Sequence, residues 1–109
     1  MASSYKVLGQ SNPSATTATT LYTVPSATEA IVSTITVCNQ AATAATYRIA
    51  VRPDGAALAA QHYVAYDISL PANTTDTLTL GITLNAADVI TVYASTATMS
   101  FNAFGSELV

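Results

Sequence analysis

Apolar side chains recur at every second position along most of this chain, and that spacing leaves little choice of secondary structure. In Thr46-Tyr47-Arg48-Ile49-Ala50-Val51-Arg52 the alternation places Tyr47, Ile49 and Val51 on one face and both arginines on the other. Between Glu29 and Asn39 it sets Ile31, Ile35 and Val37 on one side, with Val32, Thr34, Thr36 and Cys38 opposite. His62, Val64, Tyr66, Ile68 and Leu70 make a further alternating face, followed by Leu78 and Leu80, then Ile90 and Val92, then Met99, Phe101 and Ala103. Threonine, valine, isoleucine and tyrosine in such a pattern specify half-buried strands. No window carries a helical stripe with caps, although alanine, threonine and serine fill nearly half the chain. The alanine tracts 41–45 and 56–60 read as loops, the second with a short helical turn as an equal alternative.

Turn chemistry falls at regular intervals between these runs. Ser11-Asn12-Pro13-Ser14, Val24-Pro25-Ser26, Pro71-Ala72-Asn73 and Leu84-Asn85-Ala86-Ala87-Asp88 each break an alternating segment. In Arg52-Pro53-Asp54-Gly55 the proline presets φ and the Asp-Gly pair permits a left-handed residue. About eight short strands separated by such corners predict an all-β fold, a single antiparallel β-sandwich of jelly-roll or Ig-like type. With 109 residues there is room for one core. Residues 1–20 read as an N-terminal strand and an extended Ser/Thr/Ala-rich loop or arm, and 21–109 as the sandwich core.

Only 8% of residues are charged, where about a quarter is usual. The three cations, Lys6, Arg48 and Arg52, are too few to neutralise a run of phosphates, so nucleic-acid binding and a polybasic membrane anchor are both disfavoured. The start Met1-Ala2-Ser3-Ser4-Tyr5-Lys6 lacks a secretory pattern, and no apolar run is long enough to span a bilayer. Synthesis in the cytoplasm without signal-directed secretion is therefore expected. Cys38 is alone and near a strand end, with no cation beside it to make it reactive, and reads as a small buried apolar residue. His62 is the one histidine; no Gly-x-Ser-x-Gly surrounds any serine, and the residue reads as a sheet-surface histidine or a satisfied partner in the core. The four aspartates lack the spacing of a calcium loop. Neither catalytic residues, metal ligands nor a cofactor are expected.

Six tyrosines remain to be placed, and Tyr63 and Tyr93 fall opposite the faces assigned to the core. A sandwich this poor in charge has too little polar cover for a freely soluble monomer, so part of its outside is expected to meet another protein chain. Arg48 and Arg52, on one outward face, offer salt bridges there. The candidate partner interface is therefore Arg48, Arg52, Tyr63 and Tyr93.

Several stretches together resemble a family of small β-sandwich structural proteins of tailed bacteriophages and prophages. They are Leu21 to Val32, continuing through Ser33-Thr34-Ile35-Thr36-Val37-Cys38-Asn39; the corner Leu70-Pro71-Ala72-Asn73; Leu78 to Leu84; Asp88 to Ser95; and the closing Phe104-Gly105-Ser106-Glu107. The likeness runs from about Tyr5 to the C-terminus. One departure is Ala86-Ala87-Asp88, where the family often has Ala-Gly-Asp, a change that touches the turn alone.

The resemblance implies a virion component assembled in the host cytoplasm: a capsid decoration (cement) protein or a module of the tail, baseplate or fibre. It carries no catalytic residue. Uncharged outer faces and open sheet edges favour symmetric packing, so the expected partners are further copies, as a homotrimer, and the major capsid protein or another virion protein. The segment Ala2 to Thr20 is expected to reach across to a neighbour. A carbohydrate- or host-recognition module is the next reading, and an enzyme the last.

Overall fold

The computed structural model describes residues 2–109. Nine strands form: β1 (Ser3–Ser11), β2 (Thr19–Thr23), β3 (Glu29–Asn39), β4 (Ala45–Arg52), β5 (Tyr63–Leu70), β6 (Thr75–Leu78), β7 (Ile82–Leu84), β8 (Val89–Ala94) and β9 (Met99–Leu108). They make two antiparallel sheets. One runs β1-β9-β3-β6, with β7 also pairing the β6 edge of β3; the other runs β2-β8-β4-β5. The all-β sandwich is thus as the periodicity requires, with one strand more than the count from turns. Short 3₁₀ turns at Pro53–Gly55 and Ala60–His62 fill the β4–β5 connection, so the second alanine tract ends in a single helical turn. Asp54 and Gly55 both take positive φ, as the Asp-Gly signal demands.

The core lies between the sheets, where Tyr47, Ile49, Ile35, Val37, Ile90, Val92, Met99, Phe101 and Ala103 are fully enclosed. Two tyrosines cross it. Tyr47 packs edge-on to Phe101, ring centroids 6.2 Å apart, and donates its hydroxyl to Asp76 on β6 at 2.9 Å. Tyr22 on β2 donates to Glu107 on β9, which is also 2.6 Å from Lys6 on β1. Each hydroxyl therefore leaves the four-stranded sheet and ends on a carboxylate of the five-stranded one. Burial, reinforced by the carboxylate each donates to, pushes both phenols above the usual tyrosine range. The Lys6 and Tyr22 hydrogen bonds hold Glu107 below its ordinary value. Asn39, wholly buried, donates to the carbonyls of Thr43, Leu70 and Pro71 and accepts from the Ala41 N–H and the Thr98 hydroxyl. One amide thereby joins three connections.

Three faces depart from simple alternation, the plainest being Leu78 and Leu80, where β6 ends at Leu78 and Leu80 lies beyond it, exposed. On β3 the register changes between Val32 and Thr34, because Ser33 is an extra residue opposite β9. Counting by twos from Ile35 therefore fails beyond it: Val32 and Ala30 point into the core, and Ile31 stands outside, half exposed. β5 carries two extra residues against β4, and Asp67 adopts φ 50° at one of them. The expected core face His62, Val64, Tyr66, Ile68 and Leu70 is accordingly split. His62 and Leu70 are buried, whereas Val64, Tyr66 and Ile68 are exposed and Ala65 packs on the core.

The N-terminal segment does not stand away from its own chain. β1 pairs with β9 along its length, Asn12 donates to the carbonyls of Ala97 and Met99, and the Thr16 N–H bonds the Ala94 carbonyl.

Candidate interaction surface

Arg48 lies at the centre of the outer face of the four-stranded sheet, because Tyr47 and Ile49 on either side point into the core. Its guanidinium carbon is 4.2 Å from the ring centroid of Tyr66 and 4.3 Å from that of Tyr93, so the cation is held between two aromatic faces. The strand register explains the arrangement: Arg48 pairs with Tyr93 on β8, and the β5 bulge turns Tyr66 outward on the other side. Asp67, at the left-handed position of that bulge, accepts Nε of Arg48 at 2.6 Å and a second nitrogen at 3.3 Å. These hydrogen bonds keep the guanidinium protonated still more firmly than that of a free arginine.

Tyr63 extends the cluster, its ring edge-on to Tyr66 with centroids 4.9 Å apart. The two rings and Leu58, Ala59 and Ala60 from the β4–β5 connection line an open groove of about 670 Å³. Three of the four sequence candidates, Arg48, Tyr63 and Tyr93, thus come together. Arg52 does not join them. Its side chain bends over the sheet to Thr91 Oγ1 at 3.0 Å and to the carbonyls of Gly55 and Ala56, fastening the connection to β8. Tyr66 was hidden from the alternation, which assigns it to the core; the signal for its exposure is the bulge, and no residue type at 66–67 announces one.

The remaining candidates serve the fold. His62 is buried beneath the same connection, and its Nδ1 accepts the Ala59 N–H at 3.0 Å. Cys38 is half-buried on the outer side of β3 rather than enclosed. Asp88 accepts the N–H groups of Asn85 and Asp54 and so clips two turns together. Among the described residues no three His, Cys, Asp or Glu side chains gather closely enough to hold a metal ion. Nor, among them, is any helix long and apolar enough to cross a membrane.

A second exposed zone escaped the sequence reading. Across the outer face of the five-stranded sheet, Tyr5, Ser106 and Ile31 stand in one register row, and Val7 and Phe104 in the next. Tyr5 is 88% exposed, and Val7 and Ile31 about half. A comparison with protein-family models, curated proteins and solved structures finds no match for this chain.

Proposed function

We propose that this chain is a non-enzymatic structural subunit of a tailed-bacteriophage particle, a capsid decoration protein that binds the assembled shell as a homotrimer. The observation that carries the reading is the distribution of charge and apolar surface. All three cations are engaged within the chain, by Glu107, by Asp67, and by Thr91 with two backbone carbonyls. Large apolar side chains meanwhile stand exposed on both sheets. A surface of this kind suits contact with neutral protein faces repeated many times over, each contact of modest area. The phage-like order of strand and turn motifs supplies the particle.

The test is the number of copies of this chain per purified particle, relative to the major shell protein. A ratio near one, or about one per three or six shell subunits, supports decoration of the lattice. A handful of copies moves the chain to the tail, baseplate or fibre, and its absence from particles overturns the proposal. The groove beside Tyr63 and Tyr66 favours one second reading, a carbohydrate- or host-recognition module. Glycan-array binding abolished by Tyr66→Ala would support that reading in place of decoration.

A further inference from the structure

We infer that β1 is exchanged between copies of this chain, the strand of one copy adding to the β9 edge of the next. The inference rests on the homo-oligomeric part of the proposed function and names the segment that would join the copies.

The β9 edge is specific about what it accepts. β9 pairs with β3 on one side and with β1 on the other, and the outer ladder makes a separate demand at each of four places. A cation must reach Glu107, as Lys6 does at 2.6 Å. An extra residue must fall where the register shifts between Val7 and Gly9, and Leu8 there packs on the core. The next position must be glycine, because a Cβ at Gly9 would lie 2.1 Å from the Leu21 carbonyl oxygen. A side-chain amide must follow at Asn12 to donate to the carbonyls of Ala97 and Met99. Residues 3–12 of this chain meet all four demands, and those of a second copy meet them equally.

Two features favour the second copy. The first is how lightly β1 is held. None of its nine residues is fully buried, so ladder hydrogen bonds and the contacts above retain it rather than apolar burial. A strand of that kind belongs to the low-stability end of a fold. Each of those contacts, the Lys6–Glu107 ion pair included, is remade on the acceptor. What differs between the closed and exchanged forms is therefore the connection 12–18, set against the entropy of association.

The second feature is strain in that connection. Thr16 adopts φ 55°, in the left-handed region where a β-branched residue is an outlier. The reversal is fastened to β8 by the Thr16 N–H on the Ala94 carbonyl, while the hydroxyls of Thr16 and Thr17 turn back on Ala15. Extending the connection relieves Thr16 and directs β1 away from its own sheet, and a hinge under strain promotes such swapping. Fully extended, residues 12–18 reach roughly 23 Å, which passes from one copy to another lying against it. When every copy donates one strand and receives one, the assembly closes into a ring; the homotrimer of the proposed function is such a ring.

The experiment places cysteines on two full-length chains, both carrying Cys38→Ser. One has Gln10→Cys and the other Asn102→Cys, positions opposed in the β1–β9 ladder with their side chains 2.7 Å apart. The chains are unfolded in urea, refolded together and oxidised. Exchange should give a disulfide between position 10 of one chain and position 102 of the other, about tenfold more abundant than either like-with-like dimer, since those positions alone are opposed. A heterodimer no more abundant than random pairing gives would overturn the inference, as would a wild type that sediments as a monomer. Thr16→Asn occupies the left-handed region at smaller cost and should weaken self-association several-fold. An unchanged dissociation constant would overturn the role of the hinge and the inference with it, and this measurement decides if a cysteine variant fails to fold. These results come from isolated protein, so they leave the copy number in particles as a separate test of the proposed function.

Discussion

Gly105→Ala is the substitution that most directly probes the irregular register of the five-stranded sheet. Gly105 sits in β9 between β1 and β3, opposite Lys6 and Val32, beside the extra residue Ser33. A methyl group there would lie 1.9 Å from the Ile31 carbonyl oxygen and 2.9 Å from its carbon. Ordinary contact requires well over 3 Å, and both obstructing atoms are backbone, so no side-chain rotation relieves the overlap. β3 must move away from β9 by more than 1 Å, roughly, which is enough to break adjacent rungs of the ladder. Overpacking of this kind costs typically 1–3 kcal/mol. Two weakened ladder hydrogen bonds add about 1 kcal/mol each. The sum is roughly 3–5 kcal/mol, a large share of the ~5–15 kcal/mol that holds a domain of this size together. Urea unfolding followed by circular dichroism measures it, the reading being valid where the m-value is unchanged. A loss below about 1 kcal/mol with the fold intact would mean that Ile31 and Gly105 do not approach as described. The outward placement of Ile31 beside Tyr5 and Val7 would fall with it.

Other substitutions test the turns and the ties across the core. Ala87 adopts φ 71°, where an L-residue costs about 1–2 kcal/mol; Ala87→Gly should raise stability by roughly 0.5–1 kcal/mol after the greater freedom of unfolded glycine is subtracted, a rise of a few degrees in melting temperature. An unchanged or lower melting temperature would show that the turn carries no such strain. Asn39→Ala strands the buried Leu70 carbonyl and removes the part-buried hydrogen bonds to Thr43, Pro71 and Ala41, and should cost about 2 kcal/mol by chemical denaturation; a cost under ~0.5 kcal/mol would remove its role as a joint. Glu107 is held below its usual pKa, so its contribution to stability is complete above the unfolded carboxylate pKa of ~4.3 and is lost as pH falls through the folded value. Glu107→Gln should flatten that acid limb in a pH series of unfolding curves, and an identical limb in wild type and variant would refute the assignment.

How much of this was legible in the sequence depends on whether the cause is local. Strand identity was, because alternation and β-branched composition are properties of neighbouring residues, and each of the six alternating runs contains a strand, although the 78–80 run stops at Leu78. Turn positions were legible for the same reason: proline, Asn and Asp-Gly set φ by themselves. The side a residue faces was legible only as far as the next bulge. Ser33 and the extra residues of β5 are ordinary in type, and a single inserted residue exchanges inside for outside for everything counted through it. That is why Ile31, Val64 and Tyr66 were assigned to the core. The same parity count worked for Arg48 and Tyr93 because Arg48-to-Val51 pairs with β8 without a break. Arg52 shares the parity of Arg48, yet its destination was set by a connection that folds back over the sheet, which spacing along a strand does not encode.

Once the charges are placed, they also specify how self-association should respond to salt. Lys6–Glu107 and Arg48–Asp67 are closed within one chain, and Arg52 is closed on Thr91 and two carbonyls, so few net ionic contacts are left to form between copies. Screening at 1 M ionic strength shortens the Debye length to about 3 Å and weakens exposed ion pairs while leaving apolar burial in place. Sulfate acts in the opposite sense, strengthening apolar burial through exclusion from protein surface. The oligomer should therefore persist in 1 M sodium chloride, with a dissociation constant within about threefold of its low-salt value, and tighten in sodium sulfate. The measurement is sedimentation velocity across a dilution series in each salt. A tenfold or greater weakening in sodium chloride would assign the contact to charge in place of the exposed apolar side chains.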